Sequence, residues 1–192
     1  MPRRPLHKDA IVNAAVTLFR RNGYSGTGLN DIVDLSGAPK GSLYHYFPNG
    51  KPSIAEAAVI EAGQRVEKTL KDIAATSGST GELLRAHAKM LAGWMSKSGY
   101  RDGCPITTVL LELAPRERAI SQAGRNAYAA RIALIRDRLI ADGFSMARAE
   151  SLAVLCTSAV QGALIQSRIE RSGRPLEVIA IELDRLLDPR KP

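Results

Sequence analysis

The sequence predicts an all-helical fold, and three observations support this prediction. Apolar residues recur every three or four positions along most of the 192-residue chain, which is the spacing of one face of a helix. No stretch alternates apolar and polar residues in the way that a half-buried β-strand does. Glycine and proline residues interrupt the helical pattern often enough to define separate helices of ordinary length.

The composition is typical of a soluble globular chain, and its net charge is positive. Hydrophobic residues make up 45% of the chain and charged residues 24%, which is typical of a soluble globular protein. The net charge of +8 favours an anionic partner without identifying it. Two cysteines, no signal-peptide pattern and no apolar run of membrane-spanning length predict a cytoplasmic location and no contact with a membrane.

Motifs for catalysis and for cofactor binding are absent, so the sequence predicts neither an enzyme nor a bound cofactor. The three histidines, His7, His45 and His87, are scattered and do not have the spacing of metal ligands. The glycine-containing loop at residues 76–81 is not followed by the Gly-Lys-Ser/Thr of a phosphate-binding loop.

Residues 27–51 predict two short helices joined by a tight turn. An apolar face at helical spacing begins at Leu29. The segment Ser36-Gly37-Ala38 ends that helix, because glycine can adopt the left-handed conformation that a tight turn requires. Pro39 then fits the first turn of a second helix, where its missing N–H is not needed.

The second short helix, residues 39–47, has the features of a DNA-reading helix. Leu43 and Phe47 lie four residues apart and are expected to point inward. The polar side chains between them then point outward, namely Lys40, Ser42, Tyr44 and His45. A short exposed helix with such side chains, supported by another short helix, is the helix-turn-helix that reads the major groove of DNA.

Two stretches of the chain resemble the DNA-binding end of the TetR family of transcriptional regulators. They are AIVNAAVTLFRRNGYSGTGLNDI, near the N-terminus, and YHYFPNGK, which ends at Lys51. The segment Gly103-Cys104-Pro105-Ile106 is similar to the LmrA/YxaF-like branch of that family. Gly28 stands where many relatives have Ser or Thr, and the turn before Lys51 is one residue longer than in the commonest pattern.

The resemblance implies a homodimeric regulator with two domains. Residues 1–51 are expected to form a three-helix DNA-binding domain, and residues 52–192 a helical domain for effector binding and dimerisation. The dimer is expected to read a palindromic operator in double-stranded DNA. A repressor that a small-molecule effector releases from its operator is the function that the resemblance implies.

Eight residues are predicted to contact DNA, and they differ in role. Lys40 and His45 are expected at base edges or nearby phosphates, whereas Ser42, Tyr44 and Lys51 hold phosphates. Gly41 lets the backbone approach the DNA closely. The full set is Thr27, Pro39, Lys40, Gly41, Ser42, Tyr44, His45 and Lys51, in which Thr27 orients the first short helix against a phosphate.

Positive charge is concentrated in the predicted DNA-binding domain. Residues 1–51 contain seven basic and three acidic residues, so about a quarter of the chain carries half of the +8 net charge. Such cations displace counterions from DNA, and binding is therefore expected to weaken steeply with salt. The basic segment of residues 1–7, with Arg3 and Arg4, is predicted to be either a DNA-contacting arm or a frayed terminus.

Outside the helix-turn-helix the periodicity predicts seven further helices. Their expected ranges are residues 8–22, 51–75, 82–98, 106–114, 117–142, 146–172 and 175–187. The helix of residues 51–75 is expected to couple the effector site to the DNA-binding domain. Cys156 is predicted to be a core residue, and Glu112, Arg116 and Glu117 are predicted to be solvated charges or local ion pairs.

Two binding surfaces are predicted in residues 52–192. The last two helices are expected either to pack against a second copy or to form the core of one chain, through Ala159, Gly162, Ala163, Ile179, Leu183 and Leu186. A mixed apolar and polar set is expected to line a pocket for a small or medium, mostly apolar effector, with ordinary core packing as the alternative. It consists of His87, Met90, Trp94, Met95, Thr107, Thr108, Leu111, Tyr128 and Gln161.

Two alternatives to an effector-controlled repressor stay open. The first is an activator, or a DNA-binding regulator that responds to no effector. The second is a helical thiol enzyme whose nucleophile is Cys104, which lies beside Pro105 at a helix start where a thiolate is favoured. A redox switch at Cys104 is a further use of the same thiol, although no base stands at motif spacing for catalysis.

Overall fold

The computed structural model describes residues 6–188 of the 192-residue chain. Within these residues the chain forms nine α-helices and no β-strand, which confirms the predicted all-helical fold. The helices are α1 (Leu6–Asn22), α2 (Leu29–Ser36), α3 (Lys40–Tyr46), α4 (Lys51–Ala74), α5 (Thr80–Lys97), α6 (Pro105–Leu113), α7 (Arg118–Ala141), α8 (Met146–Glu170) and α9 (Arg174–Leu186). Their ends lie within two residues of the predicted ends.

Local capping explains where several helices begin. α5 starts two residues before the predicted position because the Ser79 hydroxyl accepts a hydrogen bond from the backbone N–H of Glu82 at 3.2 Å. Ser145 caps α8 in the same way, accepting from the backbone N–H of Arg148. Gly143, with a φ of 100°, makes the turn between α7 and α8 that the sequence predicts.

The chain divides into two compact units. The first contains the residues up to 64 together with residues 104–127, and the second contains residues 65–103 together with those from 128 onward. α4 and α7 each begin in the first unit and end in the second. The predicted boundary at residue 51 divides the chain by function and stays a prediction. By packing, the first half of α4 and all of α6 belong to the unit that contains the helix-turn-helix.

The first unit is organised around α1. This helix packs against α2, α3 and α6. Ile11, Ala15 and Phe19 of α1 are fully buried, and so is Ile32 of α2. Leu43 of α3 is also buried. Because burial of each large apolar side chain contributes about 1.5–3 kcal/mol, this packing holds the short helices α2 and α3 in place.

The second unit has its own apolar core, where α5, α8 and α9 pack together. The buried members of this core are Leu70, Leu83, Leu84, Ile135, Leu139, Ala149, Leu152, Ala153, Cys156, Leu183 and Leu187. Burial raises the pKa of the Cys156 thiol to about 12, so the thiol stays neutral. Cys156 is therefore a core residue, as predicted.

α8 is the one described helix that is long and apolar enough to cross a membrane, judged by length and composition alone. Nine of its residues are buried in the folded chain, among them Leu152 and Val160. A central core helix needs the same apolar composition as a membrane-spanning helix. The packing of α8 in the second unit therefore accounts for its apolar composition.

Candidate DNA-binding interface

The turn between α2 and α3 forms as the sequence predicts. α2 ends at Ser36, and Gly37 adopts the left-handed conformation with a φ of 65°. The Gly37 N–H donates to the Val33 carbonyl at 3.0 Å and closes the end of the helix. Pro39 is the N-cap of α3 rather than its first residue, and its φ of −55° leads the chain into the helix.

α3 turns one face into the first unit and the other face outward. Leu43 is 1% exposed, and Phe47, directly after the helix, is 3% exposed. On the opposite face Lys40 and His45 are exposed, and half of the Tyr44 side chain lies open to solvent. The inward and outward faces are those that the sequence predicts. The outward face offers an ammonium, a phenol and an imidazole to a partner.

Gly41 leaves open space on the outward face of α3. The residue is exposed, and a Cβ added to it would meet no atom within 4 Å. Packing inside the protomer therefore does not require a glycine here. The neighbouring Ser42 is half-buried, and its backbone N–H donates to the Pro39 carbonyl at 2.8 Å. The predicted close approach of DNA to the backbone at Gly41 stays a prediction.

The Thr27 side chain is buried in the turn before α2. It is 1% exposed, and its hydroxyl donates to the Gly23 carbonyl at 2.8 Å. The start of α2 is stabilised instead by Asp31, whose carboxylate accepts from the Gly28 N–H at 2.7 Å. Thr27 thus stabilises the turn before α2. Its predicted role, to orient α2 against a phosphate, stays a prediction.

Lys51 lies at the start of α4, where backbone N–H groups lack helical partners and attract anions. Its Nζ is 4.2 Å from the centre of the Tyr24 ring, within cation–π range. Partial burial lowers the pKa of Lys51, while the carboxylates of Glu112 and Asp31 act in the opposite direction. The ammonium is therefore held beside the Tyr24 ring at the start of α4, and its contact with a phosphate stays a prediction.

A carboxylate on α6 fixes the turn between α1 and α2. Glu112 accepts hydrogen bonds from the backbone N–H of Tyr24 at 2.6 Å and of Ser25 at 2.7 Å. Gly23 is left-handed, with a φ of 75°, and a Cβ there would lie 2.5 Å from Glu112 Oε1. Glu112 is exposed, as expected of a solvated charge, but its partners are not local, because they lie 88 and 87 residues away in the sequence.

The surroundings of Glu112 favour its charged form. Partial burial raises its pKa, but hydrogen bonds from Ser25 and Tyr24 and the charge of Lys51 together lower it by more. The pKa of Glu112 therefore lies below its ordinary value, and the side chain is ionised at neutral pH. This carboxylate connects α6 to the turn beside Lys51 within the first unit.

The predicted DNA-binding residues come together in the first unit. Thr27 is buried and lies just before α2, whereas the other seven are exposed or half-buried and belong to α3, its flanks or the start of α4. Arg3 and Arg4 of the predicted arm lie outside the described residues. The assignment of individual DNA contacts stays a prediction.

The nine predicted effector-binding residues are divided between the two units. Thr107, Thr108 and Leu111 lie on α6 in the first unit, whereas the other six lie in the second: His87, Met90, Trp94, Met95, Tyr128 and Gln161. Leu111 is 75% exposed and Met90 is 43% exposed, so neither is enclosed in the protomer. Their role in an effector pocket stays a prediction.

His87 on α5 and Arg131 on α7 are buried polar residues of the second unit, each 5% exposed. Burial, and then the positive charge of Arg131, lower the pKa of His87 to about 4, so the imidazole is neutral at pH 7. The Arg131 guanidinium lies 5.4 Å from the centre of the Tyr128 ring. The sequence analysis missed Arg131, although its spacing from Tyr128 and Ile135 places it on a buried helix face.

A polar cleft of about 510 Å³ opens elsewhere in the second unit, between the start of α5 and the ends of α7 and α9. Its walls include Glu82, Arg85, Asp142 and Asp184, of which Arg85 is paired with Asp184. None of the nine predicted effector residues is among its lining residues. In the part of the chain that the structure describes, no group of His, Cys, Asp and Glu side chains is arranged to hold a metal ion.

Family models match both parts of the chain. Residues 11–58 match the model of bacterial regulatory proteins of the tetR family. Residues 80–182, more than half of the chain, match the C-terminal domain of LmrA/YxaF-like transcriptional regulators. The chain belongs to the TetR family. This TetR-family protein is a DNA-binding transcriptional regulator of the LmrA/YxaF-like branch, as its motifs predict.

Relatives of this TetR-family regulator are regulators themselves. An uncharacterised HTH-type transcriptional regulator of Mycobacterium tuberculosis is 35% identical over 94% of this chain and 93% of its own. The HTH-type transcriptional regulator LmrA of Bacillus subtilis is 30% identical over 88% of this chain and 90% of its own. IcaR of Staphylococcus aureus, a negative regulator of the biofilm operon icaADBC, is 46% identical over 27% of each chain.

Solved structures of the TetR family share the fold. A TetR transcriptional regulator from Legionella pneumophila superposes with a TM-score of 0.82 at 20% identity, over 93% of this chain and 96% of its own. A cysteine mutant of the TetR-family regulator CifR superposes with a TM-score of 0.75 at 20% identity, over 92% of this chain and 94% of its own. CifR was solved with a 26-base-pair operator DNA.

We expect Gly41→Ala to separate folding from DNA binding. Alanine in a helix is about 0.5–1 kcal/mol more stable than glycine, so the melting temperature should rise slightly. If the open space beside Gly41 belongs to DNA, the same methyl group should weaken operator binding about tenfold or more, which corresponds to about 1.4 kcal/mol. Thermal melts and fluorescence anisotropy with operator DNA measure the two effects.

Gly93→Ala is the matched control for that substitution. Gly93 is an exposed glycine inside α5, in the second unit, and a Cβ there also meets no atom within 4 Å. It should raise the melting temperature similarly and leave DNA affinity unchanged. Equal DNA affinity for the parent and Gly41→Ala would contradict the assignment of Gly41 to the interface.

Glu112→Gln is expected to loosen the turn between α1 and α2. Loss of the charged hydrogen bonds should lower the free energy of unfolding by about 1 kcal/mol at pH 7, since the site is partly exposed. Because the pKa of Glu112 is lowered in the folded state, its contribution is complete above the unfolded pKa and disappears as pH falls through the folded pKa.

Urea unfolding of the parent and of Glu112→Gln between pH 3 and 7 tests this expectation. The two stabilities should converge on the acidic side. Glu182→Gln, which removes an exposed carboxylate paired locally with Arg185, controls for the loss of a surface charge. A difference between the parent and Glu112→Gln that persists unchanged at low pH would show that the charge of Glu112 is not responsible.

Proposed function

We propose that the protein is a homodimeric, cytoplasmic, one-component repressor that leaves its operator when it binds a small molecule. The observation that carries this proposal is the outward face of α3. Its anchors Leu43 and Phe47 are buried, while Lys40, Tyr44 and His45 project from the other side. A seven-residue helix reads only a few base pairs, so a second copy on an adjacent half-site is needed for specificity.

The outward side chains suit different parts of the DNA. Lys40 and His45 would meet base edges or the phosphates beside them, and Tyr44 and Ser42 would donate to phosphates. Lys51 and the first N–H groups of α4 would hold another phosphate. These contacts fix the register of the helix in the groove. They also make binding weaken steeply as the salt concentration rises.

The apolar surface of α8 and α9 supports a dimer. Eight large apolar side chains on these helices are exposed in the protomer, from 40% at Leu186 to 75% at Ile169. They are Met146, Val154, Leu155, Ile165, Ile169, Val178, Ile181 and Leu186. Exposure of so many apolar residues on two neighbouring helices is typical of an interface between proteins. We assign this face to a second copy of the chain.

The residues first predicted for this interface divide into three groups by exposure. Ala163 and Leu183 are buried within the protomer, so they belong to the alternative that the sequence left open, the core of one chain. Ala159, Gly162 and Ile179 are half-buried. Leu186 is exposed and remains in the proposed interface.

Induction by an effector requires an element that both units share. α4 and α7 are the two helices that contain residues of both. A small molecule bound to the second unit would favour conformations in which the two α3 helices of the dimer are wrongly spaced for DNA. The mostly apolar set that includes Met95 and Trp94 is proposed as part of its site.

Repression, rather than activation or catalysis, is the proposed outcome. The similarity to the negative regulator IcaR over the DNA-binding part of the chain supports it. Cys104, the nucleophile of the alternative thiol enzyme, is half-buried at the N-cap of α6. Relatives of similar length are transcriptional regulators.

Replacing Tyr44 and Lys40 by alanine tests the DNA-reading role of α3. Both side chains are exposed, so folding should be unaffected. Each substitution should weaken operator binding by about 1–3 kcal/mol, and Lys40→Ala should also reduce the salt dependence of binding. Mobility shift across a salt series, with DNA from upstream of the gene itself, measures both.

Lys68→Ala is the matched control, because it removes one exposed lysine from α4 within the second unit. It should bind operator like the parent. Unchanged affinity and salt slope in a folded variant with both α3 substitutions would refute the proposed mode of binding.

Ile169→Glu tests the proposed dimer. A carboxylate at a side chain that is 75% exposed in the protomer should leave the protomer folded. Two copies of that charge meet an apolar interface in a symmetric dimer, so the dimer dissociation constant should rise by about a hundredfold or more. Sedimentation velocity over a concentration series measures the change.

Leu111→Glu is the control for the dimer test. Leu111 is also 75% exposed but lies on α6, in the first unit. This variant should sediment as a dimer. Dimeric Ile169→Glu protein at low micromolar concentration would mean that a different surface joins the copies.

A further inference from the structure

The turn between α1 and α2 is built around a carboxylate from a distant helix. Glu112 of α6 accepts hydrogen bonds from the consecutive backbone N–H groups of Tyr24 and Ser25, at 2.6 and 2.7 Å. The Ser25 side chain adds a further hydrogen bond to the same carboxylate. Gly23 has no side chain, and a Cβ there would lie 2.5 Å from Glu112 Oε1. Three successive residues of the turn therefore accommodate this one acid.

The same turn carries the ring that lies against Lys51. Lys51 Nζ is 4.2 Å from the centre of the Tyr24 ring. The Tyr24 ring in turn lies beside Phe19 of α1, with the two ring centres 5.7 Å apart. The charges of Glu112 and Lys51 also act on each other. Tyr24 thus connects the acid of α6, through its backbone, with the ammonium at the start of α4, through its ring.

Electrostatic attraction to DNA does not explain an acid beside a DNA-binding lysine. A negative charge there repels phosphates and offsets part of the attraction that Lys51 exerts on them. A favourable contribution of Glu112 to DNA binding can therefore come only from geometry. A lysine that is already held in place loses less conformational entropy when it meets a phosphate than a freely rotating lysine does.

We propose that Glu112 is a positioning residue for operator binding, which acts through Tyr24 to hold Lys51 where a phosphate will lie. The inference rests on the proposed contact of Lys51 with a phosphate, and it adds a residue of α6 to those that determine DNA affinity. None of the eight residues predicted to contact DNA lies on α6. Glu112 acts through its neighbours and makes no contact with DNA itself.

Two substitutions at Glu112 separate geometry from charge. Glu112→Gln removes the charge, and one of the two backbone N–H groups then faces an amide NH2 group instead of an acceptor. Glu112→Asp retains the charge, but its side chain is one methylene shorter and should not reach both N–H groups. Each variant should weaken operator binding about three- to tenfold. Fluorescence anisotropy with operator DNA, at a temperature where every variant is folded, measures the change.

Glu117→Gln is the matched control for the loss of a negative charge. Glu117 is an exposed acid of the same unit, and its charge also acts on Tyr24. Its replacement leaves the hydrogen bonds of Glu112 in place, so operator affinity should stay the same or rise slightly. Operator binding by Glu112→Gln or Glu112→Asp that is as tight as in the parent, or tighter, would overturn the proposal.

A double-mutant cycle with Lys51→Met separates positioning from general support of the fold. Lys51→Met should weaken operator binding about tenfold and reduce the slope of log affinity against log salt by about 0.9, because one phosphate contact is lost. Since Glu112 acts through Lys51, adding Glu112→Gln to Lys51→Met should weaken binding no further. Additive effects of the two substitutions would mean that Glu112 only supports the fold, and would overturn the proposal.

The outcomes also distinguish this inference from the proposed repressor. If the parent binds its operator tightly and both Lys51→Met and Glu112→Gln bind equally tightly, the role of Glu112 is overturned and the repressor stands as proposed. Non-additive weakening in a protein that no small molecule releases from DNA would support the role of Glu112 and contradict the effector-controlled part of the proposed function.

Discussion

The DNA-reading helix depends on packing, because a helix of seven residues does not form by itself. Isolated helices in water need about 12–15 residues, and α3 has seven. Leu43 and Phe47 supply the missing stability, because both are buried in the first unit, where α3 packs against α1. The orientation of α3 depends on these two buried side chains. Their positions set the direction of the outward side chains.

The sequence determines this part of the fold through local signals. Gly37 and Pro39 mark the turn, and the four-residue spacing of Leu43 and Phe47 gives the inward face, so short-range rules were sufficient. For Thr27 the sequence predicted a role in orienting α2 against a phosphate, and it did not predict that the side chain is buried. The burial of the Thr27 side chain depends on how α1 and α2 pack, which the local sequence does not specify.

Contacts between residues far apart in the chain could not be predicted from the sequence. Glu112 and its amide partners are separated by more than eighty residues, and nothing in the neighbourhood of Glu112 distinguishes it from a solvated acid. The unusual environment of Arg131 was easier to predict from the sequence, since a charged residue on a buried face of α7 is uncommon. At Glu112 and at Arg131 the local sequence pattern does not predict the environment of the side chain. Conflicts between local pattern and environment are expected where a protein binds or moves something.

The first unit is assembled from two separate stretches of chain, and this limits how it can be transplanted. A fusion that joins residues 1–64 to a foreign sensory module would retain α1, α2 and α3 but leave α6 behind. The amides of Tyr24 and Ser25 would then lose their carboxylate, and Lys51 would lose a neighbouring negative charge. A fusion made at residue 64 would therefore contain a destabilised helix-turn-helix. A functional chimaera would have to bring along residues 104–127 or an acid that replaces Glu112.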